Sequence, residues 1–452
     1  MQRISLTLLI IGFSLTTIAQ NISGAWGGVL NVQGVRLRLV FNVSENAGGY
    51  SSTLDSPDQG AKGIPVTSTT FNNSTLRISI ASAGIQYEGT LGADSIITGT
   101  FKQAGQSFPL TLTKQKSEIK IQRPQEPAKP YPYYEEDVTF ENKRAALTLA
   151  GTLTLPKKDG VFPVVVLISG SGPQNRNEEL LGHKPFLVLS DYLTRNGIAV
   201  LRFDDRGVAK STGDFKTATS ADFATDVTAA IEYLKTRKEI NKRKIGLIGH
   251  SEGGVIAPMV AANSKDVAFI VLLAGTGVPG DQILLEQQTL IGRAAGIDSA
   301  VLAQNEMLNK KAFELIKTTN DIEKLRSDLR DLLKQNNIPE SKINPSIADA
   351  TSPWKLYFTR HDPAPVLANV KCPVLALNGS NDLQVPKENL QAIKNALIKG
   401  GNKNVTTKEL PGLNHLFQES KTGSPAEYGT IEQTMSPITL QEVLNWIKVQ
   451  VK

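Results

Sequence analysis

Two rhythms of apolar residues divide the chain. From residue 21 to about 115, apolar and polar positions alternate with a period of two: Val35, Leu37, Leu39, Phe41 and Val43 share one face, and Arg36 and Arg38 take the other. The alternation returns at Leu76, Ile78 and Ile80 and at Phe108, Leu110 and Leu112, with turn-forming clusters such as Asn72-Asn73-Ser74 between the runs. The pattern predicts about eight short strands, enough for a small antiparallel barrel or sandwich over 21–115. Residues 116–133 are polar and carry Pro124, Pro127, Pro130 and Pro132, a composition that predicts an extended linker.

From 134 to 452 the rhythm changes. Two strands, Asp137 to Asn142 and Leu147 to Leu155, are expected as an antiparallel edge. Short, continuous apolar runs follow at Val164 to Ile168, Ala199 to Phe203, Ile245 to Ile248, Phe269 to Leu273 and Val374 to Leu377. Runs of this kind suit parallel strands buried on both faces. Helical stretches such as Ala221 to Arg237 and Glu388 to Ile398 separate them, so the pattern predicts a mostly parallel, doubly wound α/β sheet. Between about 281 and 369 the composition is helix-forming without a strand pattern, and its place in the chain predicts a helical cap over the sheet edge.

Residues 1–20 read as a secretory signal: Arg3 opens it, Leu6 to Ile18 is mostly apolar, and Thr17-Ile18-Ala19 resembles a cleavage site. The apolar run is short for a membrane span, and an exported, periplasmic or secreted protein is expected. The 49 basic and 43 acidic residues of the full chain leave a net charge of only +6, with the basic residues dispersed, which argues against a nucleic-acid partner. The single cysteine, Cys372, has no internal disulfide partner and is expected to be a buried structural thiol.

The sharpest chemical signal is Ile248-Gly249-His250-Ser251-Glu252-Gly253-Gly254, set between a predicted strand and a predicted helix. A nucleophilic serine on a strained strand-to-helix turn presents its hydroxyl above the sheet and needs small residues two positions to either side. Ser251 is the candidate nucleophile. Of the four histidines, His250 adjoins Ser251 and should point away, His183 precedes a helix, and His361 falls in the expected cap. His415, in the loop after the run Val405 to Leu410, is the candidate base. Its partner is expected to be Asp382, in Asn378-Gly379-Ser380-Asn381-Asp382, with Asp281 as the competitor. The backbone N–H of Glu252, at a helix start, and that of Ser171, in Ser169-Gly170-Ser171-Gly172-Pro173, are the expected oxyanion donors, with Gly172 next in line. Arg206 is read as bracing its loop through Asp204 or Asp205.

These blocks, together with Gly182-His183-Lys184-Pro185-Phe186, Phe203-Asp204-Asp205-Arg206-Gly207, Pro363-Ala364-Pro365 and Pro411-Gly412-Leu413-Asn414-His415, resemble the bacterial α/β-hydrolase esterases related to serine aminopeptidases and dienelactone hydrolases. The resemblance runs from about 135 to the end. It implies the α/β-hydrolase fold, esterase activity toward small or medium acyl esters, and a catalytic triad at Ser251, Asp382 and His415. One departure is visible: Gln174-Asn175-Arg176-Asn177 stands where such sequences often carry Gln-Asp-Arg-Asp, which removes carboxylates near the site.

The expected function is therefore hydrolysis of a small-molecule ester through an acyl-enzyme, with no metal or organic cofactor. An aminopeptidase-like amidase using the same triad and a non-catalytic binding protein are the alternatives. An acidic subsite for a free amino terminus would distinguish the first of these. The task of the β domain and the oligomeric state are not legible.

Overall fold

A computed structural model describes residues 21–32, 35–57, 61–103, 105–115 and 122–452. The expected signal at 1–20 lies outside the described residues. The chain divides into two compact units.

The first unit holds nine strands among the described residues: β1 (Gly24–Val32), β2 (Val35–Asn46), β3 (Gly49–Ser56), β4 (Ala61–Pro65), β5 (Ser68–Asn72), β6 (Thr75–Ile80), β7 (Ile85–Leu91), β8 (Ile96–Gln103) and β9 (Gln106–Lys114). Their order is β2-β1-β9-β8-β7-β6-β5-β3-β4, and a further β2–β3 pairing closes the ring into a small antiparallel barrel. Closure removes the exposed edges that an open sheet would present. Alternation explains its interior: Leu39, Phe41 and Val43 from β2 and Leu76, Ile78 and Ile80 from β6 are buried, and Phe41 stacks on Tyr87 at 5.7 Å between ring centroids. The Tyr87 hydroxyl lies between the Ile97 and Leu110 carbonyls, so the polar tip of this buried ring is satisfied.

The second unit is a mostly parallel sheet of eight strands: β10 (Tyr134–Asn142), β11 (Leu147–Leu155), β12 (Phe162–Ile168), β13 (Ala199–Phe203), β14 (Ile240–His250), β15 (Val267–Leu273), β16 (Val374–Gly379) and β17 (Val405–Leu410). The order is β10-β11-β13-β12-β14-β15-β16-β17, antiparallel at β10–β11–β13 and parallel elsewhere. The unbroken apolar runs follow from burial on both faces. Val165 and Leu167 of β12 feed one core with Val200, Phe269, Val271 and Leu273, while Val164, Val166 and Ile168 feed the other with Leu201, Ile270 and Leu272. Helices α1 (Pro185–Arg195), α2 (Ser220–Thr236) and α3 (Gly253–Asn263) link the central strands. Thr219 caps α2 with a reciprocal Thr219–Asp222 box.

Between β15 and β16 the chain forms helices only: α4 (Gly280–Ala294), α5 (Ser299–Thr318), α6 (Ile322–Gln335), α7 (Glu340–Ala350), α8 (Pro353–Arg360) and α9 (Pro363–Asn369). Side chains of Asp298, Asp321, Ser352 and Asp362 cap four of them, satisfying N–H groups that a helix start leaves without partners. After β16 come α10 (Asn389–Lys399), α11 (Pro425–Tyr428) and α12 (Pro437–Gln450). Among the described residues no helix is long and apolar enough to cross a membrane.

Residues 122–133 form neither helix nor strand, as their prolines require, yet they are not free chain. Arg123 donates to the carbonyls of Leu181, Gly182, Gly429 and Ile431, and Gln125 Oε1 accepts from the backbone N–H groups of Thr434 and Met435.

Arg206 does brace its loop, but through a different partner from the two expected. Its Nε and Nη2 bind the Asp226 carboxylate at 2.7 and 2.9 Å, and Asn142 adds a third bond at 2.7 Å. Asp204 pairs with Arg176 at 2.7 Å, and Asp205 accepts from Ser169 and Gln174. Asp226 lies twenty residues beyond Arg206, on α2, and only tertiary packing brings it near. Cys372 is partly exposed rather than fully buried, and burial of the rest pushes its thiol up to about 11.

Asp226→Ala would leave the Arg206 guanidinium buried without its carboxylate. We expect a loss of about 3–5 kcal/mol in urea unfolding; a loss under about 1 kcal/mol would show that the pair contributes no more than a surface bridge.

Candidate active site

The site is built on one tight turn. β14 ends at His250, α3 starts at Gly253, and Ser251 between them adopts φ +51°, a left-handed conformation that a residue with a Cβ rarely takes. Its N–H is held by the Leu273 carbonyl at 2.9 Å, and its own carbonyl accepts from Gly254 at 2.9 Å. Side chains are excluded on both flanks. A Cβ at Gly249 would stand 2.0 Å from the Gly253 carbonyl oxygen, and one at Gly253 would stand 2.1 Å from that of Ile168. The spacing read from the sequence therefore has a steric cause.

Asp382 follows β16 and is 4% exposed. Its Oδ1 accepts from the N–H groups of Gln384 (2.8 Å) and Val385 (2.9 Å), which fixes the carboxylate plane. Its Oδ2 lies 2.8 Å from Nδ1 of His415, which is 3% exposed. Asp281, the competitor, is occupied by Lys317 at 2.7 Å on the first turn of α4.

The loop carrying His415 is itself tied by side chains. Asn414 Oδ1 accepts from the N–H groups of Leu416 and Gln418, and its amide donates to Gln418 Oε1. Gln418 then reaches Gln433 O and His183. His183, fully buried, sets Nε2 against Tyr428 O at 2.8 Å and Nδ1 against Thr434 Oγ1 at 3.0 Å, and burial lowers it to about 4. It is a neutral strut. His361 stacks on Tyr357 at the end of α8.

Ser171, Ser251 and Glu252 line one pocket. Among the described residues, the backbone N–H groups of Ser171 and Glu252 have no acceptor, and the Ser251 hydroxyl makes no hydrogen bond. A Cβ at Gly170 would stand 3.2 Å from Ser251 Cβ, so the glycine turn lies directly beside the serine. The rest of the lining combines apolar side chains, Ile283 and Leu284 of α4, Trp354 and Phe358 of α8, and Val385, with Thr276, Gln287 and Gln384. Trp354 and Phe358 stack at 5.0 Å. The structure thus joins Asp382 to His415 by a hydrogen bond and gathers Ser251, Ser171 and Glu252 around one space. The His415 ring is 4.9 Å, centroid to centroid, from that of His250, the residue before Ser251.

Three features escaped sequence reasoning. The Glu252 side chain is buried and accepts from Ser220 Oγ (2.5 Å) and Trp354 Nε1 (2.8 Å) on one oxygen, tying the elbow to α2 and α8. Burial raises its pKa, opposed by those two bonds. Glu178 meets His250 at 2.9 Å. Asp205 is pushed up to about 8 by burial, against the pull of its bonds from Gln174 N–H and Ser169 Oγ. Only the choice of a tryptophan at the start of α8 could have hinted at any of these.

A sequence profile of the X-Pro dipeptidyl-peptidase (S15) family matches residues 145–403. The chain is 26% identical to the esterase EstD of Thermotoga maritima over 321 residues, 70% of this chain and 69% of that one. It is 30% identical to an acyl transferase of Photorhabdus laumondii over 162 residues, 36% of this chain and 47% of that one. Among solved structures, the Pyrococcus furiosus esterase Pf2001 aligns with a TM-score of 0.43 and 18% identity, covering 70% of this chain and 93% of that one.

Asp205 gives a pH signature. A carboxyl whose folded pKa exceeds its unfolded value of about 3.9 keeps its proton longer in the folded chain. Its contribution to stability therefore declines as pH rises from there toward about 8. Asp205→Asn removes that decline, because Ser169 Oγ can accept from the amide while the amide oxygen accepts from Gln174 N–H. Denaturant unfolding at several pH values is expected to show the variant gaining on the native chain by more than about 1 kcal/mol between acid and mildly alkaline conditions. Parallel curves would mean that Asp205 is ionised in the fold.

Proposed function

Because the chain belongs to the X-Pro dipeptidyl-peptidase (S15) family and has esterase relatives, we propose that it is a serine hydrolase that cleaves carboxylic esters of small or medium acyl groups through an acyl-enzyme. The observation that carries this reading is the 2.8 Å bond between Asp382 and His415, taken with a serine in a left-handed elbow that lines a cavity with two N–H groups that have no acceptor among the described residues.

The chemistry follows from that arrangement. With Nδ1–H committed to Asp382, the lone pair of His415 lies on Nε2, where it takes the Ser251 proton as Oγ attacks the ester carbonyl carbon. The N–H groups of Ser171 and Glu252 receive the developing oxyanion, and the helix start at Glu252 adds a favourable dipole. Collapse breaks the bond to the alcohol oxygen, which leaves with the proton held by His415. Water then repeats the sequence on the acyl-enzyme, returning Ser251 and releasing the acid. The apolar wall of Ile283, Leu284, Trp354 and Phe358 suits an acyl chain of modest size. Export through residues 1–20 is part of the same proposal.

The family's name keeps a peptidase reading in view, and the Glu252 carboxylate on the cavity wall is the acid that a substrate ammonium would meet. Two neutral donors already converge on its Oε1 and burial raises its pKa, which suits a neutral or scarcely charged partner and favours the ester.

Ser251→Ala is expected to abolish turnover of a short-chain p-nitrophenyl ester, and Asp382→Asn to lower kcat by about 10⁴-fold while leaving KM little changed. Retained turnover in the first variant sinks the nucleophile assignment. A panel of acyl esters run beside aminoacyl anilides is expected to give kcat/KM at least about 100-fold higher for the preferred ester; the reverse order would make the protein a peptidase.

A further inference from the structure

The residues around the elbow contain a second carboxylate–imidazole contact that the proposed mechanism does not use. Glu178, on the loop after β12, accepts the Gly170 N–H on Oε1 at 2.6 Å and meets His250 Nδ1 with the same oxygen at 2.9 Å. The other ring nitrogen of His250, Nε2, lies 3.0 Å from the backbone carbonyl oxygen of His415. A carbonyl oxygen can only accept, so Nε2 must carry a proton. The oxygen facing Nδ1 already receives a donor from Gly170, which stabilises its negative charge, so the proton on that side belongs to the ring. With both nitrogens protonated, His250 is an imidazolium, buried at 7% exposure and paired with a carboxylate at 4%.

We propose that Glu178 and His250 are positioning residues: a buried ion pair that clamps the oxyanion turn, the nucleophile elbow and the base loop together and sets a fixed positive charge beside the base. The inference rests on the triad reading given above. Three segments meet at this pair. Gly170 precedes the expected oxyanion donor Ser171, His250 precedes Ser251, and the carbonyl it grips belongs to His415 itself. The two imidazole rings are 4.9 Å apart at 45°. A cation at that distance favours negative charge on the nearby oxyanion.

The charged neighbours are few. Burial lowers the His250 pKa, and the Glu178 carboxylate, the His415 carbonyl and the charge of Asp382 together more than offset it, holding the ring above its ordinary value. Asp205, which feels the charges of both Glu178 and Glu252, and Glu252 itself are raised by burial, so neither competes strongly for the cation. Glu178 itself takes φ +51°, a conformation uncommon for a residue with a side chain, and it aims the carboxylate inward.

Two measurements on the full chain test the pair. In ¹⁵N-histidine-labelled protein, with the signal assigned by its absence in His250→Gln, both ring nitrogens of His250 should remain protonated from about pH 6 to about pH 8. A bare nitrogen on that ring in this range overturns the proposal, and the measurement needs no activity. Kinetically, Glu178→Gln should lower kcat by about 10- to 100-fold and leave KM within about twofold, and Glu178→Asp should restore part of the lost kcat. A loss carried by KM, or a Glu178→Asp variant no better than Glu178→Gln, would contradict the positioning role. If Ser251→Ala keeps its turnover, the triad reading falls, whereas the charge on His250 is still read by the nitrogen shifts.

Discussion

The site depends on how closely three backbones approach one another at the end of β14. Ser251 can point its hydroxyl into the cavity only because its backbone is left-handed, and the turn closes only because Gly249 and Gly253 leave room for the neighbouring carbonyls. A methyl group at either position would meet backbone oxygen near 2 Å. The sheet supplies the force that holds this strained turn. Its strands are buried on both faces, and the Leu273 carbonyl of the adjacent strand fixes the Ser251 N–H. Strain of this kind persists where the surrounding packing over-determines it.

Around that turn, a layer of buried polar groups does what apolar packing cannot, which is to fix directions. Asp382 spends one oxygen on two backbone N–H groups and the other on His415. Asn414, Gln418 and His183 hold the loop from behind, and Arg123 reaches the same region from the chain segment that precedes the sheet. Glu252 joins the helix start to Ser220 and Trp354, so the elbow and the helical insertion share a hydrogen-bonded contact. Short-range bonds set Asp382 and Asn414 locally, while His415, His183, Arg123 and Glu252 are tied by partners distant in sequence, and a buried network of this kind specifies one geometry because leaving it half-made is costly.

That separation in sequence also decides what could be read in advance. The two-residue period exposed the barrel strands, and the apolar runs exposed the parallel sheet, because both are local consequences of burial. The elbow was legible for the same reason: its glycines answer to contacts within a few residues and one adjacent strand. Asp382 and His415 were reachable through their places after strands. The partner of Arg206 was misassigned because Asp226 comes near only when α2 packs on the sheet. Glu178 gave no signal at all, since its tie to His250 spans 72 residues and a charged loop residue looks like any other until the chain is folded. The lining of the cavity, drawn from α4 and α8, was hidden for the same reason.

In the proposed chemistry Ser251 is the nucleophile, and the N–H groups of Ser171 and Glu252 receive the charge its attack creates. A crystal structure of the full chain after reaction with a fluorophosphonate tests both halves at once. A phosphonyl group is expected on Ser251 Oγ, with its oxygen about 3 Å from both N–H groups. A native chain that takes no label, or a label carried by another residue, would contradict it.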